Sequence, residues 1–511
     1  MAYDVIIIGT GAGGGALLHQ LKHSGKNILV LERGTFLPQE KENWDTNAVF
    51  KDERYHTKEV WKTGDGQDIH PGTGYWVGGN TKVYGAALFR LREKDFETVE
   101  HYGGAISPPW PISYKDLEGY YAKAELLFDV HGQSGDDPTE AWRSAEYPYP
   151  PVTHEPRIQE VHDALVAQGL HPFYLPIGVK LNEADRTHSP CIRCDTCDGF
   201  PCLLHAKADS DINCVRPALL QSNVTLMTGA KVVKLHTDAT GKMVTGVEVE
   251  QESGNQIYSA PIVVLSAGAI NSAALLLRSA NEQHPNGLAN SSDQVGRNLM
   301  KHHNLAMLGI STKLNLTKFQ KTIAVNDFYW GDDEFKYPMG HVQLLGKSNK
   351  DMLALDAPGF TPGFALDEMA THSVDWWMTG EDLPQSENRV TLVGDQIHLA
   401  YTDNHLDGFN RLVERWTHIL KVMNDGQHSI IPHSLYLKKT IPIQGVAHQC
   451  GTVRFGTDPA TSVLDVNCKA HDLDNLYVVD GSFFPSSGAV NPSLTIVANA
   501  LRVGEHILAV S

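Results

Sequence analysis

The chain has 511 residues, more than one ordinary core holds, so length predicts two or three domains with interior enough to bury a cofactor. A formal charge of −18 with 20% charged residues describes an acidic chain without a basic tract, which disfavours nucleic acid and anionic lipid as partners. No apolar run approaches the length of a membrane-spanning helix, and the first strand begins at Val5 with no room for a cleaved signal segment, so the expected setting is the cytoplasm, with no membrane role.

The opening MAYDVIIIGTGAGGGALLHQL reads as strand, turn and helix. Val5 to Ile8 is a short apolar run ended by glycine, and Ala16 to Leu21 has apolar residues at helical spacing. Gly9, Gly11 and Gly14 fit G-x-G-x-x-G: the first allows a tight turn, the second lets backbone approach a pyrophosphate, the third lets helix pack on strand. The helix N-terminus offers free N–H groups to phosphates. A second strand, Ile28 to Leu31, ends at Glu32, where a carboxylate can accept from ribose hydroxyls. These features name a dinucleotide without choosing between NAD and FAD.

Next comes HPGTGYWVGGNTKVYGAALFRL, whose glycines permit close backbone approach to something flat or charged, or simply form a loop. A helical stripe through Leu117, Tyr121, Leu126 and Leu127 follows, then a linker from Asp136 to Pro151 and a helix over Ile158 to Leu170. CIRCDTCDGFPC gathers Cys191, Cys194, Cys197 and Cys202 at a spacing that suits zinc or an iron–sulfur cluster. No histidine or cysteine pair follows at zinc-finger spacing, so structural thiols or a local disulfide are the favoured reading. Val224 to Met227, Lys231 to His236, Val244 to Glu250 and Ile262 to Leu265 read as strands that resume the sheet, with a turn at Gly241. Ala267, Gly268 and Ala269 then precede a helix, the small residues that a ligand across a sheet's carboxyl end requires. Strand-like runs and a helix over Asn410 to Val422 suggest a second domain between about Ala306 and Leu437. The last segment returns to strand, glycine turn and helix, so both ends of the chain build the nucleotide layer.

Seven segments in order carry a resemblance: GTGAGG with Glu32, VGGNTKVYGAALFR, WPISYKDLEGYY, SAGAINSAALLL, VGRNLMKHH, HQCGTVRFGTDP and DGSFFPSSGAVNPSLTIVANALR. Nearly end to end, the chain resembles the glucose–methanol–choline (GMC) oxidoreductases, FAD enzymes that oxidise alcohols. The resemblance implies an α/β fold, α+β overall. A Rossmann-like FAD-binding domain (1–90, 191–305, 440–511) would be interleaved with a sheet-and-helix substrate-binding domain (91–190, 306–439). It implies that His448 is the catalytic base and Asn491 its hydrogen-bonding partner, roles that suit an imidazole titrating near neutrality and an amide donor. Gly9, Gly11, Gly14 and Glu32 would hold the ADP half with Val232 or Val233 near adenine. Gly79, Asn80 and Thr81 would face the ring system or pyrophosphate, with Gly268, Asp480 and Gly481 also at the cofactor. Where pyranose oxidases carry a histidine bonded to flavin, this chain has Val83, which implies non-covalent FAD.

The context of His448, with Val446 nearby, resembles the pyranose oxidase and bacterial glycoside oxidase branch, as do HVQLLG with Gln343 and VDWWMTG with Trp377. Trp377 stands at a position that is arginine in the fungal pyranose oxidases, and its ring offers a platform for a sugar face or an aglycone. The resemblance thus implies oxidation of a pyranose or glycoside hydroxyl at C2 or C3, with O2 or another acceptor taking the electrons. The readings that compete are a dehydrogenase passing electrons through a cysteine-held cluster and a flavin-fold protein without turnover.

Overall fold

A computed structural model describes residues 2–251, 254–423, 436–445 and 448–511. Val5–Ile8 and Ile28–Leu31 are fully buried strands, the form expected of short apolar runs covered on both faces. They sit within a five-stranded parallel sheet of order Val224–Met227, Ile28–Leu31, Val5–Ile8, Ile262–Leu265, Leu476–Val478. Ile8 stands opposite Leu265, and Leu265 opposite Val478. The turns that begin at Gly9, Ser266 and Val479 therefore emerge side by side at the carboxyl edge, where parallel sheets bind ligands.

Two expectations about this layer need correcting. Lys231–Thr237 and Val244–Glu250 do not resume the parallel sheet; with Gln256–Tyr258 they form a separate antiparallel sheet. The turn at Gly241, with φ 74°, sends the chain straight back, and so short a connection allows only antiparallel pairing. The first helix spans Ala12–Leu21 and takes in Gly13, Gly14 and Gly15, which propensity alone would exclude. Packing overrides propensity there: a Cβ on these glycines would lie 2.1 Å from the Val479 carbonyl oxygen, 2.0 Å from that of Gly9 and 1.9 Å from Ser210 Oγ.

The other long sheet is antiparallel and six-stranded, of order Tyr436–Thr440, His303–Ile310, Ser373–Gly380, His341–Leu344, Ile323–Val325, Phe173–Tyr174. Helices Pro156–Val166 and Asp407–Met423 cover one face, and Ile158, Leu165, Leu344, Trp376, Met378, Leu412 and Trp416 make the second core there. The strands Arg389–Val393 and Gln396–Ala400 instead pair with Trp61–Thr63 and Asp68–Ile69, and Val390, Ile397 and Leu399 join the larger core of the nucleotide layer.

The last helix, Ser493–Val510, is long and apolar enough by length and composition alone to cross a membrane, which the sequence reading did not expect of any run. Its residues Leu494, Val497, Ala498, Leu501 and Val503 are buried, and it packs against Ala12–Leu21 and Tyr114–Leu127. Its apolarity is that of a core helix touched on two sides.

Candidate active site

The carboxyl edge of the parallel sheet opens into a cavity of about 560 Å³. Gly9, Gly11, Glu32, Gly79, Asn80, Thr81, Val232, Gly268, Asp480 and Gly481 line it, and so do His448, Asn491, Gln343 and Trp377. Two predicted residues are not on its wall: Gly14 lies beneath the turn, and Val233 is on the same strand as Val232 but not at the cavity. Val446 lies outside the described residues.

The three glycines of the first turn have separable jobs. At Gly9, φ is 96° and a Cβ would lie 2.2 Å from the Ser266 carbonyl oxygen. Gly14 faces Gly9 across the turn, whereas a Cβ on Gly11 would meet nothing within 4 Å and would project into open space. Only Gly11 leaves room above the backbone, which is where a pyrophosphate approaches. Thr10 ties the surroundings together. Its hydroxyl donates to Glu32 at 2.6 Å and accepts from the Gly78 N–H at 3.0 Å, so the second glycine turn is bolted onto the first. Asn80 accepts from the Thr73 hydroxyl at 2.6 Å, and the Thr81 hydroxyl donates to the Gly78 carbonyl at 2.6 Å.

Glu32 and Asp480 are buried carboxylates at the cavity wall, and burial pushes the pKa of each above its ordinary value. Glu32 accepts from the N–H groups of Thr10 and Gly34, both at 3.0 Å, while Asp480 accepts from Gly268 N at 2.9 Å and Ser482 N at 3.0 Å. These donors hold both carboxylates in place; the Ser272 and Ser482 hydroxyls complete four bonds to Asp480, while Glu32 Oε1, which accepts only from Gly34, keeps a lone pair for a ligand's hydroxyl. Ser266 Oγ and Asn491 Oδ1 are buried without a hydrogen-bond partner, and both residues line the cavity. Unpaired buried polar atoms at a cavity wall are what a bound polar ligand satisfies.

His448, also on the wall, touches His302: the two Nδ1 atoms are 3.1 Å apart and the rings cross at 82°. Burial, with lesser contributions from His302 and Lys321, holds the His448 imidazole well below the usual histidine range, so the ring is neutral at neutral pH. Gln343 and Trp377 are paired in register across the sheet face opposite the second core. His341, whose pKa burial lowers to about 3, shares its Nδ1 proton with Asn326 Oδ1 at 2.7 Å. Its Nε2 lies 3.3 Å from Gln343 Oε1.

The four clustered cysteines are free thiols around a separate small cavity of about 20 Å³, shared with Trp44, Ile192, Leu204 and Phe319. Cys202 Sγ accepts from the N–H groups of Ala206 at 3.3 Å and Lys207 at 3.4 Å, and burial pushes the Cys191 thiol up to about 11. Among the described residues no group of three or more ligating side chains is placed to hold a metal ion. What this segment brings to the main cavity is Asp198 and Gly199, a contribution the cysteines masked in the sequence. Asp198 pairs with buried Lys321 at 2.5 Å, and Lys321 also donates to the Gly85 carbonyl at 3.1 Å. Lys321 and His302 were missed as site residues. Nothing local marks Lys321, but the paired histidines of KHH were a signal for His302.

Residues 3–304 match the amino-terminal part of the GMC oxidoreductase family and residues 384–500 its carboxyl-terminal part. The chain is a GMC oxidoreductase. It is 29% identical to a 6‴-hydroxyparomomycin C oxidase of Streptomyces lividus and to a paromamine 6′-oxidase of Streptomyces fradiae, over 99% of this chain and 91% of each relative. Its fold matches a crystal structure of pyridoxine 4-oxidase from Mesorbium loti, with a TM-score of 0.67, 17% identity and 99% of both chains covered. GMC oxidoreductases are FAD enzymes, and the residues here fit FAD: an open position above Gly11, hydrogen-bonded carboxylates at two points of the wall and unpaired polar atoms on residues that line it.

Proposed function

We propose that this GMC oxidoreductase oxidises a ring hydroxyl, at C3 or C2, of a pyranose or glycoside to the keto sugar. The observation that carries the reading is the cavity that His448 and Asn491 share with an aromatic plane, Trp377, an amide opposite it in register, Gln343, and the Asp198–Lys321 pair. Polar groups of this kind pair with ring hydroxyls and are left unsatisfied by a simple alcohol, which can discriminate by several orders of magnitude. The aromatic face suits the apolar face of a pyranose, and C3 is preferred because Trp377 suits an aglycone.

In this reading His448 takes the hydroxyl proton and Asn491 donates a hydrogen bond to the alkoxide-like oxygen. The C–H bond breaks with its electron pair, and FAD, when bound, supplies the acceptor for that hydride. Burial above all, with His302 and Lys321 adding to it, keeps the imidazole neutral until the proton arrives, and Lys321 is itself paired with Asp198. The FAD is non-covalent. Val83 does not line the cavity, and His448 is the sole histidine among the described lining residues, with no cysteine among them.

A second reading, oxidation at an exocyclic carbon, is favoured by the names of the two Streptomyces relatives, which put the reaction at a 6′ or 6‴ position. Incubation with glucose and aryl glucosides, followed by NMR location of the new carbonyl, separates the readings. A ketone at C3 or C2 supports the proposal, and an aldehyde at C6 supports the alternative. Efficient turnover of benzyl alcohol or choline with no sugar oxidised overturns both. Admitting oxygen after anaerobic reduction distinguishes O2 from another acceptor.

A further inference from the structure

His302 touches no cavity wall, yet it is fully buried behind His448. It sits in VGRNLMKHH, where its backbone adopts φ 66°, a left-handed conformation that few non-glycine residues hold without a reason. We infer that His302 is a positioning residue that fixes the tautomer of His448, leaving the His448 Nε2 lone pair free for the substrate proton.

Hydrogen-bond bookkeeping carries the inference. His302 Nε2 is 3.2 Å from the carbonyl oxygen of Ser487, which can only accept, so the His302 proton sits on Nε2. A neutral ring protonated there has a bare Nδ1. The only hydrogen bond possible across the 3.1 Å between the two Nδ1 atoms then runs from His448 Nδ1–H to His302. His448 Nε2 is thereby left unprotonated. Had His302 been charged, it would donate to His448 Nδ1, force the His448 proton onto Nε2 and block the base.

The surroundings keep His302 neutral. Burial lowers its pKa to about 4. The charged groups that face it are engaged elsewhere. Glu381 accepts from Gly488 N at 3.1 Å and stands 3.3 Å from His101 Nε2, while the neighbouring Lys301 pairs with Asp403 at 3.1 Å. After proton transfer the same contact works in the forward direction, since an imidazolium N–H to a neutral acceptor is a charge-assisted bond that is stronger than a neutral one.

The inference rests on His448 being the base, and the test separates the two claims. In the holoenzyme labelled with 15N-histidine, compared with His448→Ala to assign the signals, two-bond correlation spectra near neutral pH should show His448 protonated at Nδ1; protonation at Nε2 overturns the inference. His302→Leu removes the acceptor and should slow anaerobic flavin reduction by about 10²-fold, the scale of a misoriented catalytic group. His302→Asn puts an oxygen where Nδ1 was and tolerates the left-handed backbone, so it should recover most of that rate. A flavin-replete Leu variant with the wild-type rate, or an Asn variant no faster than Leu, also overturns it. If neither variant retains flavin, the wild-type spectrum decides. An unimpaired His448→Ala would instead sink the base assignment and leave the tautomer result standing.

Discussion

Gln343 and Trp377 stand directly opposite each other on adjacent antiparallel strands, and both face the cavity that holds His448. Their neighbours Leu344 and Trp376 are paired by the same register and face the other way, into the second core. The pleat alone divides the two tryptophans of VDWWMTG between binding wall and core.

That division predicts opposite phenotypes. Trp376→Ala removes a fully buried ring stacked edge-on against Trp416 at 4.8 Å, and should cost about 3–5 kcal/mol of stability. Trp377→Ala should leave the melting temperature nearly unchanged while raising KM for glycosides. Thermal unfolding and steady-state kinetics on the same two variants check the contrast, and a large loss of stability at Trp377 would contradict it.

The glycine turn gives a similar pair. Gly14→Val drives a side chain into the Gly9 carbonyl, which a Cβ alone would approach to 2.0 Å, so the protein should fail to fold or be markedly destabilised. Gly11→Val has open space, so the chain should fold but carry little FAD. The flavin-to-protein absorbance ratio and the melting curve separate these outcomes.

Sequence made the nucleotide layer legible because short apolar strands ended by glycine are a local signal, as at Val5–Ile8 and Ile262–Leu265. It could not separate Lys231–Thr237 from that sheet, since periodicity does not specify pairing partners. At the site, His448, Asn491 and the cofactor residues came from motif order, and all of these but Gly14 and Val233 appear on the cavity wall. Asp198 and Lys321 were invisible because their pairing spans 123 residues and is made only by the fold.

Acidity supplies a further check. A base whose pKa is lowered stays neutral, hence competent, to lower pH, and activity is lost only as pH falls through that lowered value. The rate of anaerobic flavin reduction should therefore be flat from pH 8 down past the ordinary imidazole value of about 6.5. A limb centred near or above that value would contradict the burial of His448.

Non-covalent FAD predicts that acid precipitation releases the yellow colour into the supernatant. Colour retained in the washed pellet would contradict the proposal of non-covalent binding, which rests on Val83 in place of a linking histidine.

The central claim is that His448 accepts the proton of a sugar hydroxyl in a cavity that also holds FAD. The most direct measurement is stopped-flow flavin reduction by an oxidisable glycoside without oxygen, in wild type and in flavin-replete His448→Ala. Loss of a general base should slow reduction by about 10²–10⁴-fold with the FAD content unchanged. Reduction of the variant's flavin at the wild-type rate would contradict the account.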